Sequence, residues 1–263
     1  MRTDTQRIDP RPVAFVLAVA AEAMTFLEHL DELRRRILWA VLSIAAAFAI
    51  CWTFATELYE LASAPIRANP AVTLAVARPQ DIISLHLKVT LVAALFVSAP
   101  LILWQVWLFV APGLYSHERR WAVPFVLSGS ILFAIGGAFG YFVAFPVALN
   151  FLLEWITAAH LTPIIDAGEY FDLFLSIIVS LGIVFQIPAV IFVLSRAGLV
   201  TAGWLARHVK HAVLVSAVAA AVLTPTTDFG NMLVLAGPMI LLYVVGIGVA
   251  WVFGTARRVP TDA

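Results

Sequence analysis

Six apolar stretches of near-spanning length, at residues 37–56, 88–110, 122–145, 172–195, 211–225 and 232–252, leave this chain few folds to adopt. A bilayer offers no hydrogen bonds to the backbone, so apolar stretches of about 20 residues cross it as α-helices. The fifth stretch, with about 15 residues, is short. Only the turn Thr224-Pro225-Thr226-Thr227-Asp228 separates it from the sixth, which predicts a tight last hairpin and local thinning of the bilayer. Composition agrees: of 263 residues, 62% are apolar and 12% charged, and the mean hydropathy is +0.98. A soluble domain of this length could not hide that much apolar surface. The expected fold is an all-α integral membrane protein with six transmembrane helices.

Charge sets the orientation. With six spans both termini share one side, and that side carries 13 of the 16 basic residues, including Arg34, Arg35, Arg36, Arg119, Arg120, Arg207 and Lys210. Arg67, Arg78 and Lys88 remain on the other, so both termini are expected in the cytoplasm. Several tryptophans, among them Trp39, Trp104, Trp121 and Trp204, fall near predicted span ends, at headgroup depth. A formal net charge of zero offers no general attraction to nucleic acid. The single cysteine, Cys51, lies in an apolar run, and neither a CxxC nor a Cys/His cluster is present to hold a metal, so no cofactor or metal is expected.

Two segments between spans exceed a turn: 57–87, with SAPIRANP, and 146–171, with Asp166, Glu169 and Asp172. Their prolines predict short interfacial helices capping the outer face. Pro100, Pro188 and Pro238 fall inside spans and are expected to bend helices into a concave, glove-like wall. Residues 1–23 contain VAFVLAVAAEA, whose apolar run of about 9 residues cannot span. The reading is an N-terminal extension of no essential role, with Met24 as an alternative start, before a membrane domain over 24–254 and a tail over 255–263.

The stretch Thr25-Phe26-Leu27-Glu28-His29-Leu30-Asp31-Glu32-Leu33-Arg34-Arg35-Arg36 precedes the first span. Read as helix, Phe26, Leu30, Leu33 and Ile37 form one apolar stripe, while Asp31 with Arg35 and Glu32 with Arg36 stand four residues apart and can pair. A carboxylate at a low-dielectric boundary also suits an incoming guanidinium, whose planar fork matches two carboxylate oxygens. A second cluster, Ala111-Pro112-Gly113-Leu114-Tyr115-Ser116-His117-Glu118-Arg119-Arg120-Trp121, follows the second span. Its arginines obey the charge rule, but Glu118 does not need to be there for orientation and is a second candidate acceptor on the same side.

These residues carry a resemblance. HLDELRRRIL at 29–38, SAP at 63–65, SAPLILWQVWLFVAPGLYSHERR at 98–120, FVAFP at 142–146, FQIP at 185–188 and LTPTTD at 223–228 are similar, in order and spacing, to the motifs of the TatC family. The likeness covers about 24–254. It implies a receptor for the twin-arginine signal peptides of folded export cargo, in a bacterial plasma (inner) membrane, driven by the proton-motive force. Glu32 and Glu118 match the arginine acceptors, Arg34 matches a basic position that supports them, and Phe109 lies in the block leading to the first cytoplasmic loop. Pro65 matches the outer-loop proline and Asp228 the acidic turn position, although the tract reads TPTTD where others read TPPD. Gln186 stands where many members have glutamate, so it can hydrogen-bond but not titrate, and it is the polar residue expected in partner docking or in an internal bond to backbone freed by Pro188. The family further implies TatA and TatB type single-span partners and self-association within membrane lipid.

Two rivals compete. A secondary transporter of small solutes needs ionisable groups facing a cavity near mid-membrane, and the candidates are few: His86, Lys88, Gln105 and Gln186. An intramembrane enzyme needs a nucleophile with its base or spaced metal ligands, and neither HExxH, GxSxG nor a P-loop is present. The expectation is a receptor that performs no catalysis.

Overall fold

The computed structural model describes the backbone of residues 11–67, 72–76, 78–110, 122–160, 162–223 and 229–254, with side chains from His29 onward except at 223 and 229–231. Helices account for nearly all of it: α1 (Arg11–Trp52), α2 (Ala55–Arg67), α3 (Asp81–Val110), α4 (Ala122–Phe139), α5 (Phe145–Ala158), α6 (Ala167–Val184), α7 (Ile187–Arg196), α8 (Ala202–Arg207), α9 (Val209–Leu223) and α10 (Phe229–Phe253). Among the described residues five helical stretches are long and apolar enough to cross a membrane: His29–Trp52, Asp81–Val110, Ala122–Ala158, Ala167–Arg196 and Met232–Phe253. A sixth apolar helix, Val209–Val222, is shorter. The 15 residues of α9 rise about 22 Å against a hydrocarbon core of about 30 Å. Large apolar side chains such as Leu42, Ile50, Val218 and Trp251 stand more than half exposed, an arrangement that lipid tolerates and water does not.

Prolines shape the long helices. Pro146 has no N–H to continue the ladder, and just before it the chain widens into a π-helical turn, Gly140–Ala144, where the Phe145 N–H donates to the Gly140 carbonyl. Pro188 starts α7 after the break at Phe185 and Gln186. The first span is the C-terminal part of a 42-residue helix, whose backbone runs unbroken from Arg11 through part of the predicted extension.

The core lies at the end that carries α2. Phe145, Tyr170, Phe171 and Phe174 are almost wholly buried there, Phe145 meeting Phe174 edge to face at 4.9 Å, and Ile66, Leu85 and Leu181 pack around them. Each such aromatic pair contributes about 0.5–1.5 kcal/mol beyond its area. Gly136 lets α4 touch α6: a Cβ there would lie 2.6 Å from the Leu181 carbonyl oxygen. Helix α1 packs along α3, and α10 against α7 and α9.

The segments between spans hold more than the expected helices. Helix α2 supplies one cap, but β1 (Thr73–Ala75) and β2 (Ile164–Asp166) also pair as a parallel two-stranded ladder, Thr73 opposite Ile164 and Ala75 opposite Asp166. Asp166 then caps α6, its Oδ1 accepting from the N–H groups of Gly168 at 2.8 Å and Glu169 at 3.3 Å. At the other end Arg196 Nη1 donates to the Phe253 carbonyl at 3.0 Å, placing a cation at the C-terminus of α10.

Candidate functional site

At the end away from α2, a ring stack joins α1 to α3, and an ion pair within α1 lies beside it. His29 stacks on Phe109, ring centroids 4.6 Å apart with 25° between planes, which fixes α1 at this point against the last turn of α3. Arg36 Nη2 donates to Glu32 Oε1 at 3.1 Å, with the arginine and glutamate side chains 23% and 29% exposed. Residues 29, 32 and 36 fall at i, i+3 and i+7, one face of the helix. Glu placed four residues before Arg is the favourable order along a helix, and an exposed pair of this kind contributes about 0.3–0.5 kcal/mol. Partial burial at a membrane boundary weakens the screening that keeps such values low.

The three consecutive arginines divide between faces. Arg36 pairs with Glu32, whereas Arg34 and Arg35 are exposed and line a groove of about 410 Å³ with Asp31, Leu38, Trp39 and Leu42. The contact with Glu32 is therefore made by Arg36, and Arg34, the residue expected to support the carboxylates, stands on the other face. Among the described residues no ion pair joins Asp31 to Arg35. Glu118 lies in 111–121, outside the described residues. The helices on either side of that segment are tied to their neighbours: Trp107, 2% exposed, meets Phe125 near the start of α4 at 5.1 Å, and Phe109 stacks on His29.

Gln186 is held by a neighbouring helix and not by carbonyls that Pro188 frees. Its Nε2 donates to the Gly129 carbonyl at 2.9 Å, while Oε1 is buried without a partner among the described residues. Beside this tie, Phe125, Ser128, Pro188, Phe192, Val249 and Phe253 help line an apolar cavity of about 290 Å³ between α4, α7 and α10. Pro65 lies half-buried in α2, and Asp228 falls outside the described residues.

The other polar candidates for solute transport stand singly and form no shared cluster with Gln186. Lys88 Nζ pairs with Asp172 Oδ1 at 2.5 Å, His86 stacks on Tyr59 at 4.8 Å with Nδ1 against the Ile82 carbonyl, and Gln105 on α3 keeps its Oε1 buried without a partner among the described residues. Sequence reasoning missed the partners of Lys88 and Gln186 and the His29 stack. The i, i+3, i+7 spacing of His29, Glu32 and Arg36 was the one signal able to link the last of these to the carboxylate.

Comparison with known proteins adds an independent line. Residues 28–238 match the family model "TatC: Sec-independent protein translocase protein (TatC)". A Koribacter versatilis protein named Sec-independent protein translocase protein TatC is 46% identical over 256 residues, covering 95% of this chain and 94% of that protein. A Campylobacter jejuni protein of the same name is 37% identical over 222 residues, covering 83% of this chain and 90% of its own length. A crystal structure described as the twin arginine translocase receptor TatC in DDM superimposes with a TM-score of 0.76 at 33% identity, over 84% of this chain and 99% of that one. A second, described as the receptor TatC, gives 0.73 at 33% identity over 84% and 97%.

Proposed function

We propose, on the premise that this chain belongs to the TatC family of the Sec-independent protein translocase, that Glu32 and Glu118 receive the paired arginines of a twin-arginine signal peptide. The observation that carries this reading is Glu32 itself: a half-buried carboxylate at one end of the bundle, already bonded to a guanidinium and held beside the α1–α3 contact. That is the chemistry an arginine acceptor requires. Phe109 serves by fixing α1 to α3 through His29, and Arg34 by adding positive charge that keeps this end at the headgroups of the cytoplasmic leaflet.

In this reading all six apolar helices span the bacterial inner membrane, with both termini in the cytoplasm and the short α9–α10 hairpin thinning the bilayer around it. Helix α2 and the β1–β2 ladder then form the outer cap, with Pro65 shaping α2 and Asp228 closing the outer turn of the hairpin. The signal peptide's apolar stretch lies along the helices after its arginines are bound. TatA and TatB type single-span subunits dock on membrane-embedded surfaces, with Gln186 as the polar residue of that contact, and copies of the chain associate. The proton-motive force acts on the assembled complex, and the chain performs no catalysis. Residues 1–23 contribute nothing essential, so a chain begun at Met24 still supports export.

Photo-crosslinking of a twin-arginine signal peptide to membranes containing the protein tests the central step. Crosslinks should weaken with Glu32→Ala, with Glu118→Ala and with a twin-lysine peptide. Binding indifferent to all three changes would remove the proposed site.

A further inference from the structure

Glu32 is not an empty acceptor, because Arg36 already occupies its Oε1. Arg36 spends one N–H on that bond, and its Nε lies buried without a partner among the described residues. A guanidinium free to approach a carboxylate can place two parallel N–H groups on its two oxygens, but Arg36, tethered to the same helix one turn on, delivers a single one. We infer that Arg36 is a specificity-determining residue of signal recognition: it is the resident occupant of Glu32, and an export signal binds by exchanging its own arginine for it. This rests on the reading of Glu32 as the arginine acceptor.

The exchange has a direct physical consequence. A monodentate cation replaces one charge-assisted hydrogen bond with another and gains little, whereas an untethered arginine replaces one with two. Because a cation enters as a cation leaves, the carboxylate at the lipid boundary is never left bare. The released Arg36 joins Arg34 and Arg35, which are exposed and whose long stems reach headgroup phosphates. The His29–Phe109 stack holds this turn of α1 on α3, so Glu32 stays in place while its partner changes.

The experiment is a concentration series of a photo-crosslinking twin-arginine peptide on membranes containing the full chain, with wild type, Arg36→Gln, Arg36→Met, Arg35→Gln and Glu32→Ala. The strength of an i, i+4 pair corresponds to about a twofold change in affinity. Both Arg36 variants should therefore lower the half-saturating peptide concentration about twofold or more, and Arg35→Gln, which removes the same charge without freeing Glu32, should lower it less. A structural defect would move the Arg36 variants the other way. Arg36 variants that bind no tighter than wild type, or an equal gain from Arg35→Gln, overturn the exchange. Crosslinking that ignores Glu32→Ala overturns the receptor site itself, whereas crosslinking that needs Glu32 but ignores Arg36 removes the exchange alone.

Discussion

Tyr141 repairs what Pro65 breaks. In α2 the residue at position 65 would donate its N–H to the Leu61 carbonyl, proline has none to give, and the Tyr141 hydroxyl donates to that oxygen at 2.9 Å from the π-helical turn. Tyr141→Phe should therefore cost about 1 kcal/mol in the wild-type background. In a Pro65→Ala background, where a backbone N–H is restored, the same change should cost less. Thermal unfolding of the purified protein in detergent, run as a double-mutant cycle, reads the coupling. Equal costs in both backgrounds would show that the hydroxyl and the proline are unconnected.

Two glycines on α4 should differ in their tolerance of a methyl group. At Gly136 an added Cβ meets the Leu181 carbonyl oxygen at 2.6 Å, a backbone atom that can yield only if α6 moves. At Gly129 the nearest atom is Leu103 Cδ1 at 2.9 Å, the end of a side chain that can rotate. Gly136→Ala is expected to destabilise by about 1–3 kcal/mol and Gly129→Ala by less. Fluorescence size-exclusion after a heating series ranks the two, and a Gly129→Ala protein that melts first would contradict the packing argument.

Lys88 and Asp172 link α3 to α6, yet their side chains are 43% and 61% exposed. A pair so open contributes about 0.2–1 kcal/mol. Lys88→Gln should leave export of a folded twin-arginine reporter within the range of wild type. Abolished export would mean that the ammonium has a role beyond this pair.

Gln186→Leu removes the bond to the Gly129 carbonyl and the free Oε1 together. An interhelical hydrogen bond in lipid is worth about 1 kcal/mol, roughly fivefold in an equilibrium. Co-purification of a single-span TatA type partner is expected to fall by about that factor. Unchanged capture, with the protein still inserted, would confine Gln186 to an internal tie.

The spans were legible because lipid permits a single solution: a segment must be apolar and must satisfy its own backbone, so run length alone locates it. The Glu32–Arg36 pair was legible for a similar reason, since four residues on a helix place two side chains together without help from the rest of the fold. What escaped was set by distance along the chain. Lys88 lies 84 residues from Asp172, Tyr141 lies 80 from Leu61 and Gln186 lies 57 from Gly129, and no local period encodes such meetings. Consecutive helical residues differ by about 100° in direction, so Arg36, four residues on, shares the face of Glu32, whereas Arg34 does not.

The β1–β2 ladder is three residues long on each side, and its stabilising energy is small, but it sits upstream of two long helices. Between Thr73 and Ile164 lie α3, α4 and α5, and the ladder joins the two ends of that stretch, so the segment entering α3 and the segment entering α6 leave from one place. The ladder is thus a clasp that closes a run of three helices upon itself.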